Sequence, residues 1–170
     1  MRKARLLMDG CKYHITARIN RKEMILQKPI EKMHFLKVVS QAQKKYNFTI
    51  QNFCIMDNHI HFILFPKNGA SLSAIMRWIL GVFAIRYNKR HGISGHVWGD
   101  RFFSRIINSF REFIAAFDYI DNNPIKIGTV CHPSQWPFGG FWNYYCEKSK
   151  LLGDIPDYVN YASMYWRKLE

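Results

Sequence analysis

The middle of the chain constrains the fold most. Phe48 to Met56 and His59 to Phe65 are two strongly apolar runs separated only by the turn pair Asp57–Asn58, which predicts a β-hairpin. Before it, the alternating segment Tyr13 to Ile19 reads as a strand. A helix follows from Pro29 to about Tyr46–Asn47, with Ile30, Met33, Phe35, Leu36 and Val39 at helical spacing. After the hairpin, Pro66, Asn68 and Gly69 stop the chain, and Ser71 caps a long helix to about Lys89, with Gly92 beyond it. Val97 to Ile107 is a fourth strand, and Ser109 caps a last helix through Ile120 that Pro124 ends. The first six elements follow the split βαβ order of ferredoxin-like folds. The expected class is α+β, a four-stranded antiparallel sheet with helices on one face and a further helix beyond. The other sheet face is then free for a site or a nucleic acid. The stretch from Cys131, rich in Trp, Phe and Tyr, reads as a partly irregular cover with a short helix at Tyr158–Leu169. One domain spanning 1–170 fits this length.

Charge narrows the partners. Lys and Arg number 25 against 12 Asp and Glu, a formal net charge of +13. Such a surplus favours a polyanion, nucleic acid first. A membrane surface is the weaker option, since no long basic amphipathic helix stands out. An ordinary basic enzyme is the plain alternative. The apolar run Trp78–Ile85 is too short to span a bilayer, and the opening MRKARLLMDG lacks a leader-like apolar core. Cys11, Cys54, Cys131 and Cys146 form no C-x-x-C pair, which argues against a zinc ribbon. These features predict a cytoplasmic protein with reduced thiols.

The third strand reads N-H-I-H-F-I-L-F from Asn58. Ile60, Phe62 and Leu64 face one way; His59 and His61 share the other. Two imidazoles on one side of a strand can bind one divalent cation. A solvated strand start is the alternative, but in so apolar a strand imidazoles need a metal or strong hydrogen bonds. Cation binding would require neutral histidine and weaken below about pH 6.5. Asn58 fits a turn better than a donor to the histidines.

In the last helix Phe113, Ala116, Phe117 and Ile120 form the apolar stripe. Tyr119 lies at its edge, Asn123 follows four residues later, and Ala115 and Ala116 leave room beside the ring. Plain amphipathic packing is one reading. The other is a nucleophile: a phenol with a pKa of about 10 needs help at neutral pH, which a dication held by His59 and His61 would supply.

Between these features runs a basic and aromatic belt. Arg77, Arg86, Lys89, Arg90, Arg101, Arg105 and Arg111 face one acid, Asp100, with Trp78, Phe83, Tyr87, Trp98, Phe102 and Phe103 interleaved. Arginines neutralise phosphates and rings stack bases, although core packing accounts for most of the rings. Arg2, Lys3 and Arg5 form a basic arm. His14, His91, His96 and His132 have no evident partner and read as structural or phosphate contacts.

Y-H-I-T-A-R at 13–18, M-D-N-H-I-H-F-I-L at 56–64, G-H-V-W-G-D-R-F at 95–102 and Y-I-D-N-N-P-I-K-I-G at 119–128 occur in one order. With W-P-F-G-G-F-W-N-Y at 136–144, they resemble the single-tyrosine HUH transposases, most of all the REP-associated tyrosine branch. The resemblance implies a ferredoxin-like core, His59 and His61 as metal ligands, Asn123 completing that site, and Tyr119 as nucleophile. It implies magnesium or manganese as cofactor and single-stranded, hairpin-associated DNA as substrate. It also implies a bacterial cytoplasmic setting, at the nucleoid when DNA is bound. Arg77, Arg86, Arg90, Arg101, Arg105, Arg2 and Arg5 are the expected DNA contacts. Monomers and dimers both fit. Asp100 and the tail after about residue 147 depart from the family pattern. Two rivals are a non-catalytic binding module of the same fold and a hydrolase using water.

Overall fold

The computed structural model describes residues 8, 10–145 and 151–153. Arg2, Arg5, Cys146 and the helix expected at Tyr158–Leu169 lie outside the described residues. Four strands, β1 (Lys12–Arg18), β2 (Phe48–Ile55), β3 (His59–Pro66) and β4 (Phe103–Ile107), form one sheet in the order β2-β3-β1-β4 with every pair antiparallel. Two helices, α1 (Pro29–Lys45) and α2 (Leu72–His91), complete the split βαβ pattern. Ser71 caps α2 through its hydroxyl, which accepts from Ala74 N at 3.3 Å, and Gly92 ends it at φ 62°.

Alternation explains the principal core. Tyr13, Ile15 and Ala17 of β1 and Ile60, Phe62 and Leu64 of β3 point to the same side, where Phe35, Val39, Ile75, Ile79 and Phe83 of α1 and α2 cover them. In β2 the alternation breaks. A bulge between Ile50 and Asn52 lets both Ile50 and Phe53 face this core, while Asn52 and Cys54 turn to the opposite face.

That opposite face is not free, contrary to expectation. Cys54, Met56 and Ile63 form a second apolar row, and α3 (Phe110–Asp121) covers it with Phe113, Phe117 and Ile120. Among the described residues, only the side formed by β1 and β4 stays open, carrying His14, Thr16, Arg18, Phe103 and Arg105. The fourth strand is also shorter than expected. Val97 and Trp98 are core residues, but the Trp98 indole N–H donates to Leu80 O of α2 at 2.9 Å, and pairing resumes only at Phe103. Pro124 does not end the helical path. The break falls at Asn122, and Asn123–Lys126 forms a short helix, α4, that places Pro124 at its start.

The described part of the segment after Cys131 runs along the outer edge of β2. Phe138 O accepts from Ile55 N at 2.9 Å, and the Tyr144 hydroxyl donates to Gln51 O at 2.6 Å. The last helix among the described residues, α5 (Gly140–Tyr145), begins where a Cβ on Gly140 would overlap Asn52 Oδ1. No helix among the described residues is long and apolar enough to cross a membrane.

Candidate active site

Register builds the site. Strand β1 pairs with β3 so that Arg18 lies opposite His59 and Thr16 opposite His61. Directly opposed side chains share a face, so both histidines point toward α3. His61 is 3% exposed, with Nδ1 at 3.0 Å from Thr16 Oγ1 and 3.2 Å from His14 Nε2. Burial, reinforced by the charges of His59, His14, Arg18 and Lys126, pushes its imidazole down to about 3. Burial also lowers His59 and His14. All three rings are therefore neutral near pH 7. His59 Nδ1 donates to Asn58 Oδ1 at 2.8 Å, and His59 also shares a side-chain hydrogen bond with Asn123.

The end of α3 brings the tyrosine to this row. Tyr119 is 42% exposed, with its ring centroid 5.4 Å from His61 and 5.7 Å from His14, edge-on to both. Lys126 Nζ sits 4.4 Å from the Tyr119 centroid. Asn123 is buried and ties the group together: its Nδ2 donates to Tyr119 O at 2.8 Å while its amide also bonds His59. Tyr119, His59, His61 and Asn123 thus converge within one chain.

The donor set, two borderline imidazole nitrogens and one hard amide oxygen, can hold a divalent cation. Two neutral imidazoles have their Nδ1 atoms fixed by Asn58 and by Thr16 and His14, the kind of support that orients a ligand ring. The third donor is an amide rather than a carboxylate. Accordingly, no group of three or more His, Cys, Asp and Glu suited to a metal occurs among the described residues.

Three members of the site were not assigned from sequence. His14, read as a structural or phosphate contact, touches both His61 and Tyr119. Thr16 shares its strand face, and the alternation of Y-H-I-T-A-R could have shown that. Lys126 stands in the tyrosine motif but carried no role. Of the arginines, Arg105 lies opposite His14 on the open face, with its side chain 65% exposed. Arg101 is exposed just before β4. Arg77, Arg86 and Arg90 lie on α2, across the sheet from Tyr119. There Arg86 donates to Gln41 Oε1 at 2.7 Å and Arg90 to the Glu31 carboxylate.

Comparison with known proteins agrees with this fold. The family model described as "Transposase IS200 like" matches residues 8–123. The REP-associated tyrosine transposase of Escherichia coli K12 is 26% identical over 104 residues, 61% of this chain and 60% of that protein. A Haemophilus influenzae protein of the same designation is 23% identical over 146 residues, 80% of this chain and 76% of that one. A REP-associated tyrosine transposase solved bound to a REP hairpin superposes with a TM-score of 0.73 at 22% identity, covering 92% of this chain and 93% of that one. A transposase structure from Deinococcus radiodurans R1 gives a TM-score of 0.51 at 14% identity over 72% of this chain and 97% of that one. These two structures share the fold. The chain belongs to the IS200-like transposase family and is similar to its REP-associated tyrosine transposases.

Proposed function

We propose that the protein cuts and rejoins single-stranded, hairpin-associated DNA, with Tyr119 as nucleophile. The observation that carries this reading is the meeting of an exposed tyrosine ring with the buried, neutral imidazole of His61, beside the half-buried His59, inside one chain. The Tyr119 oxygen attacks a DNA phosphorus atom in line. A tyrosyl O–P bond forms, the P–O3′ bond breaks, and the 3′ oxygen leaves as a hydroxyl after gaining a proton. The 5′-phosphate stays on the protein. Attack of a free 3′-hydroxyl on that linkage rejoins DNA and regenerates the phenol, so no ATP is consumed. His59, His61 and the Asn123 amide would hold magnesium or manganese, which when bound polarises the scissile phosphate. The Lys126 ammonium, 4.4 Å from the ring centroid, brings positive charge to the place where the phosphate is attacked. Arg105 and Arg18 on the same face neutralise the approaching backbone.

The test is a denaturing gel of the wild-type protein with hairpin-bearing DNA labelled on the 3′ side of the cut. Label that migrates with the protein only when manganese or magnesium is present supports the reading. Cleavage without protein-bound label would assign the reaction to water. Binding without cleavage, across a hairpin library, would leave a non-catalytic binding module.

A further inference from the structure

Beside Tyr119 the open face sinks into a cavity of about 310 Å³ that His14 and Tyr119 border but His59 and His61 do not. Its walls are apolar, Ile106 and Ile107 from β4 and Ala115 and Ala116 from α3. At its mouth stand Arg105 and Glu112, paired at 3.1 Å, with side chains 65% and 35% exposed. We propose that this cavity receives one unstacked nucleobase, from a nucleotide flanking the phosphate that Tyr119 attacks. The inference rests on the strand-cutting reading above.

Position comes first. The cavity is continuous with the nucleophile and lies to one side of the histidine pair. A phosphate held between Tyr119 and the histidines therefore presents its neighbouring sugar to the opening. Volume agrees, because about 300 Å³ is the lower bound of small-ligand cavities. Chemistry agrees as well. A base has two apolar faces and an edge carrying donors and acceptors. The walls supply aliphatic surface, and the mouth supplies one strong donor, Arg105, and one strong acceptor, Glu112. The alanines complete the case. The stripe Phe113, Phe117 and Ile120 holds α3 on the sheet, whereas Ala115 is exposed. Packing therefore does not require a small residue at 115, but the cavity does. A base stacked in a duplex cannot enter, so the cavity would also select unpaired strand.

The experiment uses the full chain with Tyr119→Phe, so that no strand is cut, and isotope-labelled alanine methyl groups. The probes are an oligothymidylate strand and a strand of equal length made only of abasic nucleotides. Ring currents from an inserted base should shift the Ala115 and Ala116 methyl resonances with the first strand and not with the second. Ala115→Leu, which fills the cavity with a good helix former, should weaken oligothymidylate binding about tenfold, the worth of roughly one stacked base. It should leave the abasic strand unaffected. Equal methyl shifts with both strands, no shift with either, or an equal loss of affinity for both overturns the proposal. Failure of the cutting reading looks different. Base-dependent shifts in a protein that forms no covalent adduct on any hairpin DNA would keep the cavity and discard the nucleophile. Adduct formation without base-dependent shifts would do the reverse.

Discussion

Tyr119 is held by its backbone and by ring edges, while its hydroxyl does nothing for the fold among the described contacts. Tyr119→Phe therefore keeps the packing against His14, His61 and Lys126 and removes one oxygen. On the denaturing gel the adduct and the cut should both vanish, while DNA affinity stays nearly unchanged. Tyr87, Tyr144 and Tyr145 changed to Phe should still form adduct; a surviving adduct in Tyr119→Phe would move the nucleophile elsewhere. The histidines carry a second prediction. A lowered imidazole pKa means that protons compete with a cation only at lower pH. Manganese binding, followed by calorimetry, should persist at about pH 5.5, below the onset that free histidine would give. It should be lost in His59→Ala/His61→Ala, and equal affinity in that double variant would sink the metal site. The histidine pair and Tyr119 were legible because each belongs to one short segment with a clear periodicity. His14 was not, because its role comes from the pairing of β1 with β3, which no single segment contains.

Besides its apolar stripe, helix α3 is tied to the sheet by the buried amide of Asn52. Asn52 Nδ2 donates to Phe117 O at 3.3 Å and to Asp121 Oδ1 at 2.9 Å, and its Oδ1 accepts from Phe53 N at 2.7 Å. Gly140 must stay bare for that amide to keep its place. Gly140→Ala should displace Asn52, cost on the order of 1–3 kcal/mol by denaturant titration, and loosen the helix bearing Tyr119. Unchanged stability would show that α5 gives way instead. Asp121, half-buried beside Asn52, is pushed up to about 7, mainly by burial. The folded state therefore holds a proton there that the unfolded chain releases near pH 4, so this carboxyl lowers stability as pH rises through that window. Asp121→Asn should raise Tm at pH 8 by at least about 2 °C and change it little at pH 4. Equal gains at both values would exclude the carboxyl's charge as the cause. The element order of the fold was readable from periodicity and turn residues. The cover by α3 was not, because the bulge in β2 shifts which residues face which side, and simple alternation does not register an inserted residue.

Among the described residues the arginines are spread over both sides of the sheet rather than gathered at Tyr119. Arg105 lies on the open face with the tyrosine, while Arg77, Arg86 and Arg90 ride on α2 behind it. Arg105→Ala should slow adduct formation even at saturating DNA. Arg77→Ala and Arg86→Ala should alter affinity alone, and slowing by these two equal to that of Arg105→Ala would refute the division. Binding of hairpin-bearing single strand should exceed that of plain duplex and fall linearly in log–log form with salt. A flat salt response would count against a phosphate-dominated interface. Composition announced the +13 charge but not its distribution, since side is decided by which helix covers which sheet face. The third member of the histidine site, Asn123, has a consequence at this level. An aspartate there could not donate to Tyr119 O, and in the proposed metal site the amide would leave the ligands without negative charge. A dication resting on it would keep its full charge for the DNA, and the scissile phosphate would become its only anionic neighbour in the set. Loading would then be mutual: the nucleic acid completes the coordination sphere, the ion strengthens the grip on the nucleic acid, and the chain alone stays chemically idle until both arrive.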